Sequence, residues 1–194
     1  MTDIDGNVYQ TVTIGTQVWM AENLKVTHYR DGDTIPNVIN NSAWEYLSSG
    51  GYCDYDNNPV NVAIYGRLYN WYAVSDARNI APEGWHIPSH SEWQTLVLYL
   101  GSDAGGKMKE TGTAHWSEPN TGATNESGFN ALPAGMCGYM DLYIGMPQDT
   151  WFWSSTDYPN NRARVCELWS YSASAEISGH LAKGSGLSVR CVKD

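Results

Sequence analysis

The chain has 194 residues, 42% hydrophobic and 16% charged, with 9 Trp, 13 Tyr and 19 Gly; that is enough for one domain with a real core, and too rich in rings and turns for a helical bundle. A net charge of −10 and a pI near 4.8 would repel a phosphate backbone, so nucleic acid is excluded as an expected partner. No apolar run approaches the roughly 18 residues that a membrane span requires, and no membrane insertion of this domain is expected.

The opening MTDIDGNVYQ is polar and carries no signal peptide. It reads as a domain whose upstream export or anchor segment has been removed. Val8 to Ile14 alternates between Gly6 and Gly15 as a strand or hairpin, and QVWMAENLKV continues as a second strand. Residues 28–62 are dense in turn formers without a sustained period, which predicts a long ordered loop.

Tyr65, Leu68, Tyr69, Tyr72 and Ala73 share one helical face and predict a helix from Tyr65 to about Arg78. A second helix starts at Ser89-His90-Ser91-Glu92, which has the form of a capping box. Trp93, Leu96, Val97 and Leu100 follow at helical spacing, and Gly101 ends it. From Gly101 to Asp149 the pattern is glycine-rich, with one turn of helix near Lys107 to Glu110. Trp151–Thr156, Ala163–Tyr171 and Leu187–Asp194 read as three closing strands. With no internal repeat or linker, residues 1–194 form a single α+β domain.

Four cysteines (Cys53, Cys137, Cys166 and Cys191) are scattered, with no C-x-x-C pair. They allow three fully paired connectivities, and disulfides and buried thiols both stay open.

Several stretches taken in order, DIDGNVYQTVTIGTQVWMAENL, YGRLYNWYAV, GWHIPSHSEWQTL, SGFNALPAG, FWSST and SVRCVKD, resemble the Fibrobacter succinogenes major paralogous domain family. That family looks like a branch of the C-type lectin-like fold. GWHIPSHSEW is similar to the helix start of formylglycine-generating-enzyme-like domains. The resemblance implies small twisted antiparallel sheets with two flanking helices and long ordered loops.

The stretch YSASAEISGHLAKGSG, made mostly of Ser, Ala and Gly, sits oddly before the strand-like LSVRCV. Here the chain resembles variable proteins of diversity-generating retroelements, in which template adenines, often in AAY codons, are randomised inside a fixed frame. FWSST, Lys183 and SVRCVKD look like frame, and residues 157–185 look like the interrupted part. Randomising the first two bases of AAY cannot give Glu, Gln, Lys, Met or Trp. Between Ser170 and Ser185 only Glu176 and Lys183 fall in that set, but Glu167 and Trp169 also belong to it, so the region is not uniformly permissive.

Strand alternation sends Val165, Glu167, Trp169 and Tyr171 to one face and Cys166 and Leu168 to the other. Burying Cys166 and Leu168 would leave Trp, Glu and Tyr on solvent, rigid rings beside a charge, as at a binding surface. The expected ligand contacts are Tyr158, Asn160, Asn161, Arg164, Val165, Glu167, Trp169, Tyr171, Ile177, His180 and Leu181. The partner would be another protein or a surface glycan.

Other motifs carry less. Glu118-Pro119-Asn120 is similar to the sugar-binding tripeptide of calcium-dependent lectins, but the companion Trp-Asn-Asp is missing and a turn explains the residues. Asp54 and Asp56, with Asn57 and Asn58, gather oxygens as a calcium loop would, without EF-hand spacing. Acidic turns in a chain at −10 explain the same residues, and no cofactor is expected. The five His show no metal spacing and no G-x-S-x-G occurs. Cys166 and Cys191 lie in the C-terminal half, as the reactive pair of formylglycine-generating enzymes does, but their surroundings do not match. The expectation is a non-enzymatic, retroelement-diversified binding module. The alternatives are a structural or adhesive surface module and a formylglycine-generating-enzyme-like oxidase.

Overall fold

Turn residues interrupt the chain so often that most of its strands are short. The computed structural model describes residues 1–39, 43–44, 46–138 and 143–194. Of the 28–62 loop expectation, residues 40–42 and 45 lie outside the described residues. In chain order the strands are β1 (Thr11–Ile14), β2 (Gln17–Met20), β3 (Tyr52–Cys53), β4 (Leu68–Tyr69), β5 (Trp85–His86) and β6 (Met136–Cys137). They continue with β7 (Tyr143–Ile144), β8 (Asp149–Tyr158), β9 (Arg162–Trp169), β10 (His180–Ala182) and β11 (Val192–Lys193). The helices are α1 (Val62–Tyr65), α2 (Trp71–Val74), α3 (His90–Leu100) and α4 (Ala104–Met108).

Among the described residues the strand ladders are antiparallel, and the parallel pairings are isolated bridges. One sheet runs β1-β2-β11-β5, a second β10-β9-β8, and two more are the pairs β3-β4 and β6-β7. The α+β class is therefore observed. Only Val192 and Lys193 of the expected closing strand join a ladder. The residues before them bond singly to the other three sheets: Gly186 with Cys137, Leu187 with Tyr69 and Ser188 with Phe152. Cys191 O takes the Met20 amide at 3.0 Å and Val189 O that of Leu24 at 2.9 Å. With Gly186 before it, LSVRCV is less a strand than a seam joining the four sheets of the described residues.

The expected helix from Tyr65 to Arg78 does not form. Gly66, at φ +74°, ends α1, and a Cβ there would strike the Asn23 side chain and the Leu24 carbonyl. Leu68 and Tyr69 are buried instead as β4, where Tyr69 trades both main-chain bonds with Leu187 at 2.9 Å. Asn70 then caps α2, its Oδ1 accepting the Ala73 amide at 3.0 Å and the Gly51 amide at 3.1 Å. So of two expected flanking helices, only α3 is long. Its capping box is complete: the Ser89 amide donates to Glu92 Oε2 at 2.7 Å, and the Glu92 amide donates to Ser89 Oγ at 3.3 Å.

The β8–β9 hairpin lies between two cores. Trp153, Ala163 and Val165 pack into one with Tyr69, Trp85 and Val189. Phe152, Cys166 and Leu168 pack into the other with Trp19, Trp93 and Phe129. Arg190 of the seam is fully enclosed. Its guanidinium donates to Asn23 Oδ1 at 2.6 Å and to the carbonyls of Met20 at 2.9 Å, Phe129 at 2.6 Å and Asn130 at 3.1 Å. Burial pushes it down to about 9, still above neutrality.

Candidate ligand-binding face

Because both faces of β9 meet a core at mid-strand, its solvent-facing residues divide between its ends. One expectation fails here: Val165 is 1% exposed inside the first core and does not reach a ligand. Trp153 opposes it across the hairpin and closes that side. Arg164 and Arg162 lie on the Cys166 side, whereas Glu167 and Trp169 lie on the Val165 side.

The first group surrounds Tyr158. Register places Tyr158 opposite Arg162, and Arg164 opposite His180. The Tyr158 and His180 rings stack at 4.0 Å, and the Arg164 guanidinium lies 4.4 Å from the Tyr158 centroid. Arg164 Nη1 also donates to Ser178 O at 2.6 Å, and Arg162 Nη1 lies 3.3 Å from His180 Nδ1. Burial, then the nearby Arg164 charge, lowers the pKa of His90 at the start of α3.

The turn beside this group is held by Asn160 at φ +62° and Asn161 at φ +57°. Both are exposed, as expected. Their backbone, however, favours Asn or Gly, so these positions are less free to change than exposure alone implies. Asn161 also accepts the Lys183 amide at 3.0 Å on its carbonyl and the Tyr72 hydroxyl at 3.3 Å on Oδ1.

The second group surrounds Glu167. Trp151, its cross-strand neighbour, donates Nε1–H to Oε2 at 3.0 Å. Burial raises the Glu167 carboxyl above its usual range; the Trp151 bond opposes that, and the Glu176 charge adds to it. Glu176 faces Glu167 through a pair of main-chain bonds, 2.8 and 3.1 Å. Its own carboxyl is lowered by the Ser178 hydroxyl and amide. Trp169 and Tyr171 stack with centroids 5.9 Å apart and planes 19° apart, and Tyr171 is 64% exposed. Ile177 and Leu181, half-buried, lean on the second and first cores respectively, which limits what they offer a ligand.

Backbone contacts, more than side chains, hold residues 171–185 in place. Besides the 167/176 pair, Gly179 O accepts the Val165 amide at 3.3 Å, Ala173 O that of Gly106 at 2.8 Å, and Lys183 O that of Trp71 at 2.9 Å. The Lys183 ammonium lies 2.7 Å from Asp157 and 4.3 Å from the Trp71 ring centroid.

The residue that sequence reasoning missed is Lys109. It is fully buried, and its ammonium donates to the carbonyls of Trp169 at 2.8 Å, Ser172 at 2.8 Å and Thr121 at 3.0 Å. Burial pushes it down to about 8. In sequence it is an ordinary Lys in a glycine-rich stretch, and nothing local marks it as a tie beneath the loop that starts at Trp169.

The remaining candidates resolve simply. Asp54 is buried in an ion pair with Arg67, while Asp56 is exposed. Among the described residues no three His, Cys, Asp or Glu side chains gather as a metal site. Asn120 of Glu-Pro-Asn turns inward, its amide donating to the carbonyls of Glu110 at 2.9 Å and Gly112 at 2.7 Å. Cys191 and Cys166 are fully buried in the first and second cores, and burial raises both thiols. They are not a pair.

The family model described as the Fibrobacter succinogenes major domain matches residues 12–193. The chain belongs to that family. No curated protein and no solved structure shows significant similarity to it. In this member of the Fibrobacter succinogenes major domain family, the matched region holds both exposed groups, the Lys109 tie and the seam.

Proposed function

We propose that this chain is a non-enzymatic ligand-binding module of C-type lectin-like fold, a retroelement-diversified protein shown on a bacterial surface or a phage particle. Its ligand, a protein or a surface glycan, contacts the Tyr158–Arg164–His180 group, the Glu167–Trp169–Tyr171 group, or both. The observation that carries this reading is the way residues 171–185 are held. Main-chain bonds and the Lys109 ammonium fix the segment's path, so several side chains on it are free to change without moving it. Rings and guanidiniums left part-exposed at both ends of β9 are the residue types that dominate binding energy at interfaces. The lectin-like fold draws support from the small antiparallel sheets and from β11, which brings the C-terminal strand between β2 and β5.

Deep sequencing of the parent locus in a growing population tests this. Substitutions confined to 157–185 and arising at template adenines are expected. Substitutions spread evenly over the chain, or no template repeat beside a reverse-transcriptase gene, would leave the structural-module alternative.

A further inference from the structure

A third, smaller core lies where the loop around β3 meets β6. Trp44, Cys53, Leu68 and Cys137 are each 3% exposed or less within it. The Cys53 and Cys137 thiols are in hydrogen-bond contact there; that contact, followed by burial, raises the Cys53 thiol well above its ordinary range. Backbone pairing holds both positions. Cys53 lies opposite Leu68 in the β3–β4 pair, and Cys137 exchanges main-chain bonds with Gly186 at 2.9 and 2.8 Å. The other two cysteines are sealed in separate cores.

We propose that Cys53 and Cys137 are a disulfide pair that closes when the chain folds in an oxidising compartment. The bond would tie β3 to β6 and close a loop of 84 residues (137 − 53). Because Cys137 is bonded to Gly186, the staple would also fix the point where the 171–185 segment rejoins the frame. With a disulfide such as oxidised glutathione as oxidant, one protein thiolate attacks it and expels a glutathione thiolate. The second protein thiolate then attacks the mixed disulfide at the protein sulfur and expels the other glutathione. Two protein thiols are oxidised as one glutathione disulfide becomes two thiols. Buried thiols resist deprotonation, so this exchange belongs to folding, before the third core closes.

The test is to refold the reduced full chain in a glutathione redox buffer, alkylate it under denaturing conditions and map its peptides. The expected result is alkylation at Cys166 and Cys191 only, with one linked peptide pair joining Cys53 to Cys137. Adding dithiothreitol should then lower the melting temperature by roughly 5–10 °C, and a C53A/C137A chain should not show that drop. Four alkylated cysteines, a glutathione adduct at either residue, or a link between any other pair would overturn the proposal. The mapping uses the parent chain, so it decides the question even if the double variant does not fold.

Discussion

Lys109 Nζ lies 2.8 Å from the carbonyl oxygen of Trp169, so a buried ammonium, not a hydrophobic plug, anchors the chain as it leaves β9. Replacing Lys109 with Met keeps an unbranched stem, one atom shorter, but leaves the Trp169, Ser172 and Thr121 carbonyls without their donor. Each buried acceptor left unmade costs about 1–3 kcal/mol, partly offset because no charge is buried any longer. The expected net loss is about 3 kcal/mol, read from urea denaturation with faster amide exchange at 170–175. A Lys109→Met chain as stable as the parent would show that the tie is ornamental.

The exposed rings should behave in the opposite way. Tyr171→Ala should shift stability by no more than about 0.5 kcal/mol, as exposed positions usually do, and Tyr158→Ala and His180→Ala, half-buried and stacked on each other, by no more than about 1 kcal/mol each. Val165→Ala empties a packed site and should cost about 2 kcal/mol. Thermal melts of the four variants check both halves. Comparable losses at Tyr171 and Val165 would mean that the segment is core, not surface.

What the sequence disclosed depended on how far the deciding contact lay along the chain. The α3 start was readable because its cap is complete within Ser89 to Glu92. The helix expected after Tyr65 was not, because its apolar spacing is consumed by a pairing of Tyr69 with Leu187, more than a hundred residues away. Alternation along β9 correctly put Val165, Glu167 and Trp169 on one side. It could not show that this side begins inside the first core and emerges only at Glu167, since Trp153 decides that from β8. Membership of the family was legible from motifs spread along the chain. Lys109 was not, because a lysine held by three carbonyls leaves no trace in its neighbours.

Two glycines, one beneath the candidate segment and one within it, should differ sharply. A Cβ on Gly106 would land on the Gly122 carbonyl oxygen, and the Gly106 amide also donates to Ala173 O at 2.8 Å. Two backbones would have to part, so Gly106→Ala should cost about 1–3 kcal/mol, the range for overpacking. Gly184 has open space around the same position, and Gly184→Ala should be neutral or stabilising by a few tenths of a kcal/mol. Guanidinium denaturation of the two variants separates them. Equal effects would mean that α4 is not the seat of the segment.

Glu167 gives the second group a pH dependence whose sign can be worked out. Burial raises its carboxyl in the folded chain above the unfolded value, so the folded state binds the proton more tightly. The stabilisation this lends is fully present below the unfolded value near 4.5 and is lost as pH rises through the folded one. Glu167→Gln removes that titration while keeping an oxygen for the Trp151 N–H. The variant should therefore gain on the parent as pH rises above about 4.5 and hold a constant advantage once Glu167 is fully ionised. Paired urea titrations from pH 4 to 8 measure the difference. A gap that narrows as pH rises would mean that the carboxylate is stabilised in the fold, and that the environment drawn around Trp151 and Glu176 is wrong.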